Sequence, residues 1–353
     1  MKFISDRLKS ARMINGLSLQ GLADKLKELG FPISKQALNK YEQEQAAPNS
    51  EMIGMLSTAL SVRPEYFYND SLIDFGEIEF RKLQSYSSKE SQRIIEISRD
   101  ELGRYLELEE ILGIKTEFVN PLEDFVITGY ESVDEAADLV RKEWELGTNP
   151  IPNTIELLED HNIKVIEIES DVKLDGFSTF ADEHFPIVVL NKRKLDDAPD
   201  RKRWTALHEL GHIVLNLDHL SDKDKEKYCH YFAGALLFSK VNLERELGTK
   251  RTKLSIRELG ALKQEYGISM QAIVYRAKDI GIINESSFRQ FFYMFTQLHY
   301  RKKEPFDYNG NEGSNRFDQL LFRALAEEVI SMSKAAALNN QKLAEFRKEY
   351  LVI

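Results

Sequence analysis

Trp204-Thr-Ala-Leu-His-Glu-Leu-Gly-His-Ile-Val-Leu215 is the stretch on which the reading of this chain turns. It sets His208 and His212 four residues apart, with Glu209 directly after the first. Residues i and i+4 lie on nearly the same side of an α-helix, so both imidazoles can grip one metal ion. Glu209 then projects beside that ion, where it can take a proton from water. Leu207, Leu210, Ile213, Val214, Leu215 and Leu217 make the surroundings strongly apolar, so the three polar groups sit on a helix expected to be buried. Two histidines on a buried helix need partners, and a divalent metal supplies one.

A catalytic zinc takes three protein ligands and leaves a fourth position for water. The continuation that supplies a third histidine along the same chain is absent, because Leu215 and Asp218 stand where glycine and histidine are required. The next apolar helix, Glu226-Lys-Tyr-Cys-His-Tyr-Phe-Ala-Gly-Ala-Leu-Leu237, offers Glu226 and His230 on one face. Asp218, His219 and Asp222 lie in the loop between. The text Arg203-Trp-Thr-x-x-His-Glu-Leu-Gly-His, then Glu226 followed by Phe232-Ala-x-x-Leu-Leu, resembles the ImmA/IrrE-type metallopeptidases. The resemblance continues in Ala136-Ala137, Trp144-Glu-Leu-Gly-x-x-Pro-Ile151 and Gly176-Phe177. It implies a Zn2+ site with Glu226 as third ligand and Glu209 as general base. Cys229 and His230 depart from the usual Ala and Asn of that family, which makes His230, with Tyr231, an alternative ligand or an oxyanion donor.

At the other end, Phe3, Ile4, Leu8, Ala11 and Ile14 recur at helical spacing. Asn15-Gly16 ends that helix, Ser18 caps a second, Ser34 a third over Lys35–Glu42, and a fourth runs from Met52 to Leu60. Short helices with a polar one after a turn make a helix-turn-helix layout. Arg7-Leu8-Lys9-x-x-Arg12, Leu22-Ala23 and Ile33-Ser-x-x-Ala37-Leu-x-x-Tyr41-Glu42 resemble the Xre/Cro-like repressors. The resemblance implies that the third helix enters the major groove and that Ser34, Lys35, Gln36, Asn39 and Lys40 meet bases and phosphates. Leu19, where that family usually has glutamine, and the long Gly30-Phe-Pro32 turn depart from the pattern.

The charge agrees. Residues 1–47 hold eight Lys/Arg against five acids, a net +3 within a chain of −10, so 48–353 carries −13. A small basic head on an acidic body is expected when only the head meets DNA. One cysteine, Cys229, excludes a disulfide framework and a cysteine-rich zinc finger, and fits a reducing cytoplasm. Met1-Lys-Phe-Ile-Ser-Asp-Arg reaches charge at once, and no apolar run nears 18 residues, so neither a signal peptide nor a membrane span is expected.

The expected fold is mainly α with a small β-sheet, an α+β chain in four parts: a helix-turn-helix domain at 1–70, a helical connector at 71–120, a zincin-like metallopeptidase domain at 121–290 and a helical extension at 291–353. Ser87-Ser-Lys-Glu90 and Ser132-Val-Asp-Glu135 read as capping boxes, and Ser255-Ile-Arg-Glu258 caps a later helix. Strands are expected at 163–168, 176–180 and 186–190, with either of the last two as an edge that receives substrate. Residues 316–350 read as an amphipathic end with a homodimer contact in view. The function implied is a cytoplasmic regulator that binds operator DNA and cleaves a repressor or antitoxin protein. The alternative is a non-proteolytic regulator whose second domain senses a partner.

Overall fold

The computed structural model describes residues 3–68, 73–76, 87–115 and 117–351. Of the expected connector, 71–72, 77–86 and 116 lie outside the described residues, as do 1–2 and 69–70 of the expected head. The chain forms two compact units: 1–116 with 181–183 and 315–353, and 117–180 with 184–314.

In the first unit, α1 (Ser5–Ile14), α2 (Leu19–Glu28), α3 (Lys35–Glu42) and α4 (Ser50–Leu60) are followed by a 3₁₀ turn, Pro64–Tyr68. The caps fall where the sequence puts hydroxyls and amides. Ser18, Ser34 and Asn49 each accept a hydrogen bond from a backbone N–H two or three residues into α2, α3 and α4. Leu8, Leu22, Leu26, Leu38, Leu56 and Phe67 are fully buried at the centre of these helices. A pair that sequence reading did not single out ties α1 to α3. Arg12 Nε and Nη2 donate to the two carboxylate oxygens of Glu42 at 2.6 and 2.8 Å, and Nη1 donates to the Leu17 carbonyl at 2.8 Å. Its only signal was the presence of both residues in the repressor-like text.

Helix α5 (Ser88–Ile111) opens with the expected capping box: Ser87 Oγ accepts from the Glu90 N–H, and Glu90 Oε2 accepts from the Ser87 N–H, both at 3.2 Å. It packs on α1, where Arg93 Nε donates to the Ile14 carbonyl at 2.9 Å.

The second unit holds α6 (Tyr130–Glu143), α7 (Thr154–Asp160), β1 (Lys164–Ile168), β2 (Gly176–Ala181), β3 (Phe185–Asn191), α8 (Lys192–Leu195), α9 (Pro199–Val214), α10 (Asp222–Leu237), α11 (Lys240–Leu247), α12 (Ile256–Tyr266), α13 (Met270–Asp279) and α14 (Glu285–Gln297). The sheet order is β1-β3-β2, with β1 and β3 parallel from Lys164↔Ile187 to Ile168↔Asn191. So β3 is central, and the expectation that 186–190 could serve as an edge is corrected. Its run Ile187-Val-Val-Leu190 is fully buried, which is why it reads as continuous apolar rather than alternating. The capping box expected at Ser132 is also corrected. Helix α6 starts three residues earlier, with Gly129 at its N-cap, and Ser132 Oγ accepts from the N–H groups of Thr128 and Gly129 at 2.9 and 3.1 Å. Its short hydroxyl reaches back over the first turn instead of opening it.

Helices α15 (Arg316–Ala326), α16 (Met332–Leu338) and α17 (Leu343–Leu351) complete the first unit. The apolar stripe expected over 316–350 is thus broken at Glu328 and Asn340, both in the left-handed region. Its buried side chains Leu320, Leu321 and Ala336 pack with Tyr105 and Leu108 of α5, so that face is covered within the unit. Among the described residues no helix is long and apolar enough to cross a membrane.

Candidate metal centre

Helix α9 begins with Pro199 in its first turn and carries the His-Glu-x-x-His segment in its last two turns, with Ala206, Leu207, Leu210 and Val214 fully buried. Helix α10 crosses it closely. Gly211 makes this approach possible: a Cβ there would stand 3.1 Å from both Cα and Cβ of Cys229 on α10. Such contacts force the helices apart by a few tenths of an ångström. Arg141 of α6 holds the far end of α10, with Nη1 donating to the Leu236 carbonyl at 2.6 Å.

Against this frame, His208, His212 and Glu226 converge, their ligating atoms all within 4.8 Å of one another. The Nε2 atoms of His208 and His212 are 3.2 Å apart. Glu226 Oε2 lies 3.2 Å from His208 Nε2, and its Oε1 lies 3.4 Å from His212 Nε2. Two imidazole nitrogens facing each other beside a carboxylate form an arrangement that asks for a cation. The spacing fits zinc, since bonds of about 2.0–2.1 Å at tetrahedral angles put ligand atoms roughly 3.3 Å apart. Two imidazoles and one carboxylate with a fourth position open are a donor set suited to catalytic zinc. His208 Nδ1 is buried without a hydrogen-bond partner among the described residues, so packing, not an outer hydrogen bond, holds that ring.

The other expected residues fall in different places. Glu209 is 2% exposed, and its Oε2 accepts from Ser178 Oγ of the edge strand β2 at 2.9 Å. Ser178 was missed in the sequence because nothing local distinguishes it within the strand 176–180. His230 is not in the cluster; its Nδ1 accepts from Trp204 Nε1 at 3.2 Å, and its ring centre is 6.0 Å from that of His208. The Tyr231 hydroxyl donates to Asp134 at 2.6 Å, beneath the Arg276 guanidinium. Burial first, and that hydrogen bond second, push its phenol well above the usual tyrosine range. On α3, Ser34, Lys35, Gln36 and Lys40 are exposed and Asn39 is half-buried, with the Ser34 oxygen engaged in capping.

Replacing Gly211 by alanine is expected to weaken zinc binding about tenfold and to destabilise the fold by about 1–3 kcal/mol, because the added methyl meets the backbone of Cys229 and shifts Glu226 away from the histidines. Metal titration and thermal unfolding of the variant check this. Unchanged affinity would show that the helix spacing does not set the site.

The IrrE N-terminal-like domain family, a peptidase family, matches residues 158–278, which include α9, α10 and all three cluster residues. The helix-turn-helix family matches residues 8–67, from within α1 through α4. Comparison with curated proteins gives no match. The chain therefore carries, in this order, a helix-turn-helix domain and a peptidase domain of the IrrE/ImmA type.

Proposed function

We propose that this chain is a cytoplasmic DNA-binding regulator whose second domain is a zinc-dependent endopeptidase, and that it cleaves a repressor or antitoxin protein and so relieves repression. The observation that supports the reading is the convergence of His208, His212 and Glu226 with Glu209 buried one residue along. His208, His212 and Glu226 would hold the zinc, which when bound supplies a Lewis acid that acidifies water and polarises a peptide carbonyl at neutral pH. The remaining chemistry belongs to the chain. Glu209 takes the proton from the attacking water onto its carboxylate and delivers it to the leaving amine nitrogen as the C–N bond breaks. The Ser178 hydroxyl donates to Oε2 of that carboxylate and so helps to orient it. Strand β2, at the edge of the sheet and joined to Glu209 through Ser178, is placed to align an extended substrate segment.

The test is incubation of the full chain with the repressor and antitoxin proteins encoded beside its gene, with zinc and with a chelator. Fragments that appear only with zinc support the reading. Intact partners under both conditions, from a chain that binds zinc, favour the non-proteolytic sensor instead.

For the head, Lys35 and Lys40 serve as phosphate contacts. Lys35→Ala and Lys40→Ala are each expected to weaken binding to any duplex sequence and to reduce the slope of log affinity against log salt by about 0.9. Fluorescence anisotropy on labelled duplex DNA at several salt concentrations measures this. A slope equal to that of the unaltered chain removes either lysine from the interface.

A further inference from the structure

One turn beyond Glu226 on α10, His230 opens onto a cavity of about 700 Å³ whose wall it shares with His208, Glu226 and Trp204. Its ring stands edge-on to that of His208 with centres 6.0 Å apart, and the residue is exposed, so a bound peptide can reach it. Trp204 of α9 fixes which of its nitrogens carries the proton. The indole Nε1–H donates to His230 Nδ1 at 3.2 Å, and an indole nitrogen cannot accept. Nδ1 is therefore the bare nitrogen, and the proton sits on Nε2. Among the described residues that Nε2–H has no hydrogen-bond partner.

The other donors around the cavity are placed differently. The Tyr231 hydroxyl is engaged with Asp134 at 2.6 Å, Arg276 Nη2 with the same carboxylate at 2.7 Å, and Lys227 with Asp224 at 2.7 Å. The Nε and Nη1 atoms of Arg276 have no partner but are shut off from solvent. Tyr130 packs on Tyr228 and Tyr231, and Tyr275 on Phe288 and Phe292, whereas His230 packs on His208. His230 thus presents a free N–H beside the clustered residues without joining them.

We propose that His230 is a further catalytic residue, whose Nε2–H donates to the peptide carbonyl oxygen as that oxygen becomes negative, and that Trp204 positions it by holding Nδ1. The assignment rests on the endopeptidase reading. As water gives a proton to Glu209, its oxygen bonds to the carbonyl carbon and the π pair of the C=O bond moves onto the carbonyl oxygen. The hydrogen bond from Nε2–H strengthens with that charge, and no proton crosses it. When the pair returns and the C–N bond breaks, Glu209 supplies the proton to the nitrogen, and His230 ends as it began. A neutral imidazole suits the place, since an imidazolium is repelled by a divalent cation among His208, His212 and Glu226.

Kinetics use the partner protein cut in the zinc-dependent incubation. Binding uses a phosphinic peptide copying the cut segment, whose tetrahedral phosphorus carries the negative oxygen. His230→Leu is expected to lower kcat about 10²–10³-fold with KM and zinc content unchanged, and to weaken the phosphinic peptide by the same factor. His230→Gln, which puts an amide N–H near the same place, is expected to recover part of both losses. Nitrogen NMR of the zinc-free chain is expected to show His230 protonated on Nε2 alone, and Trp204→Phe to populate the other tautomer. An unchanged tautomer in Trp204→Phe removes the positioning role of Trp204. A His230→Leu chain that keeps its kcat, or binds the phosphinic peptide as before, overturns the assignment and leaves the peptidase, as does a proton found on Nδ1 of the unaltered chain. No cleavage of any partner by the unaltered chain with zinc bound removes the peptidase reading itself, and the donor with it.

Discussion

Glu209→Gln is expected to lower peptide cleavage by about 10²–10⁴-fold while zinc content stays at the level of the unaltered chain, the range that a positioned general base contributes. The substitution is nearly isosteric, and the amide oxygen can still accept the Ser178 hydroxyl, so the local packing around this 2% exposed side chain is kept. What disappears is the capacity to take a proton from water and return it to the amine. The clustered residues His208, His212 and Glu226 are untouched. Cleavage of a protein substrate and elemental analysis, measured on the same preparation, separate loss of the base from loss of the metal. Full turnover by the glutamine variant would remove Glu209 from the mechanism.

The second large effect is on stability. Glu312→Ala is expected to cost about 3–5 kcal/mol and to lower the unfolding midpoint by roughly 10 °C. Arg203, on α9 directly before Trp204, is completely buried, and the Glu312 side chain paired with it is 1% exposed. The guanidinium also donates to the carbonyl of Ile151 at 2.6 Å and to the Tyr308 hydroxyl at 2.8 Å. The other oxygen of Glu312 accepts from the N–H and the hydroxyl of Thr154, at 2.9 and 2.6 Å, where α7 begins. Removing the carboxylate leaves a buried cation without its counter-ion and takes the acceptor from the N–H and hydroxyl of Thr154. Gly267 belongs to the same arrangement. It sits at φ +62°, and a Cβ there would come within 2.6 Å of Arg203 Nε. Thermal or denaturant unfolding measures the cost. Replacing both partners, as Arg203→Met with Glu312→Leu, should recover much of it, because the penalty comes from the stranded charge. A loss below 1 kcal/mol for Glu312→Ala would mean that water reaches Arg203 once the carboxylate is gone.

Much of this architecture was legible because it is local. Ser18, Ser34 and Ser87 open helices where their side chains can accept from the following turn, and that geometry spans only three residues. The i, i+4 pair His208 and His212 needed nothing beyond the helix that carries it. Where local signals competed, reading was less sure. Ser132 looked like a cap and is instead an acceptor inside the first turn of α6. The run 186–190 did not say whether it was central or at an edge, because apolar residues on both faces mark burial and not strand order. The stripe over 316–350 concealed two left-handed residues that divide it into three helices.

The sequence by itself determined where the helices capped by Ser18, Ser34 and Ser87 start, since capping acts within a few residues. It also determined that two histidines share one helical face with a glutamate beside them. Only the tertiary structure decided that Glu226 and not His230 joins those histidines, that Ser178 holds Glu209, and that Glu312 reaches back 109 residues to Arg203. The reason is physical. Periodicity states that a side must be covered, while the identity of the covering residue depends on how separate elements pack, and close approaches such as Gly211 against Cys229 set that packing.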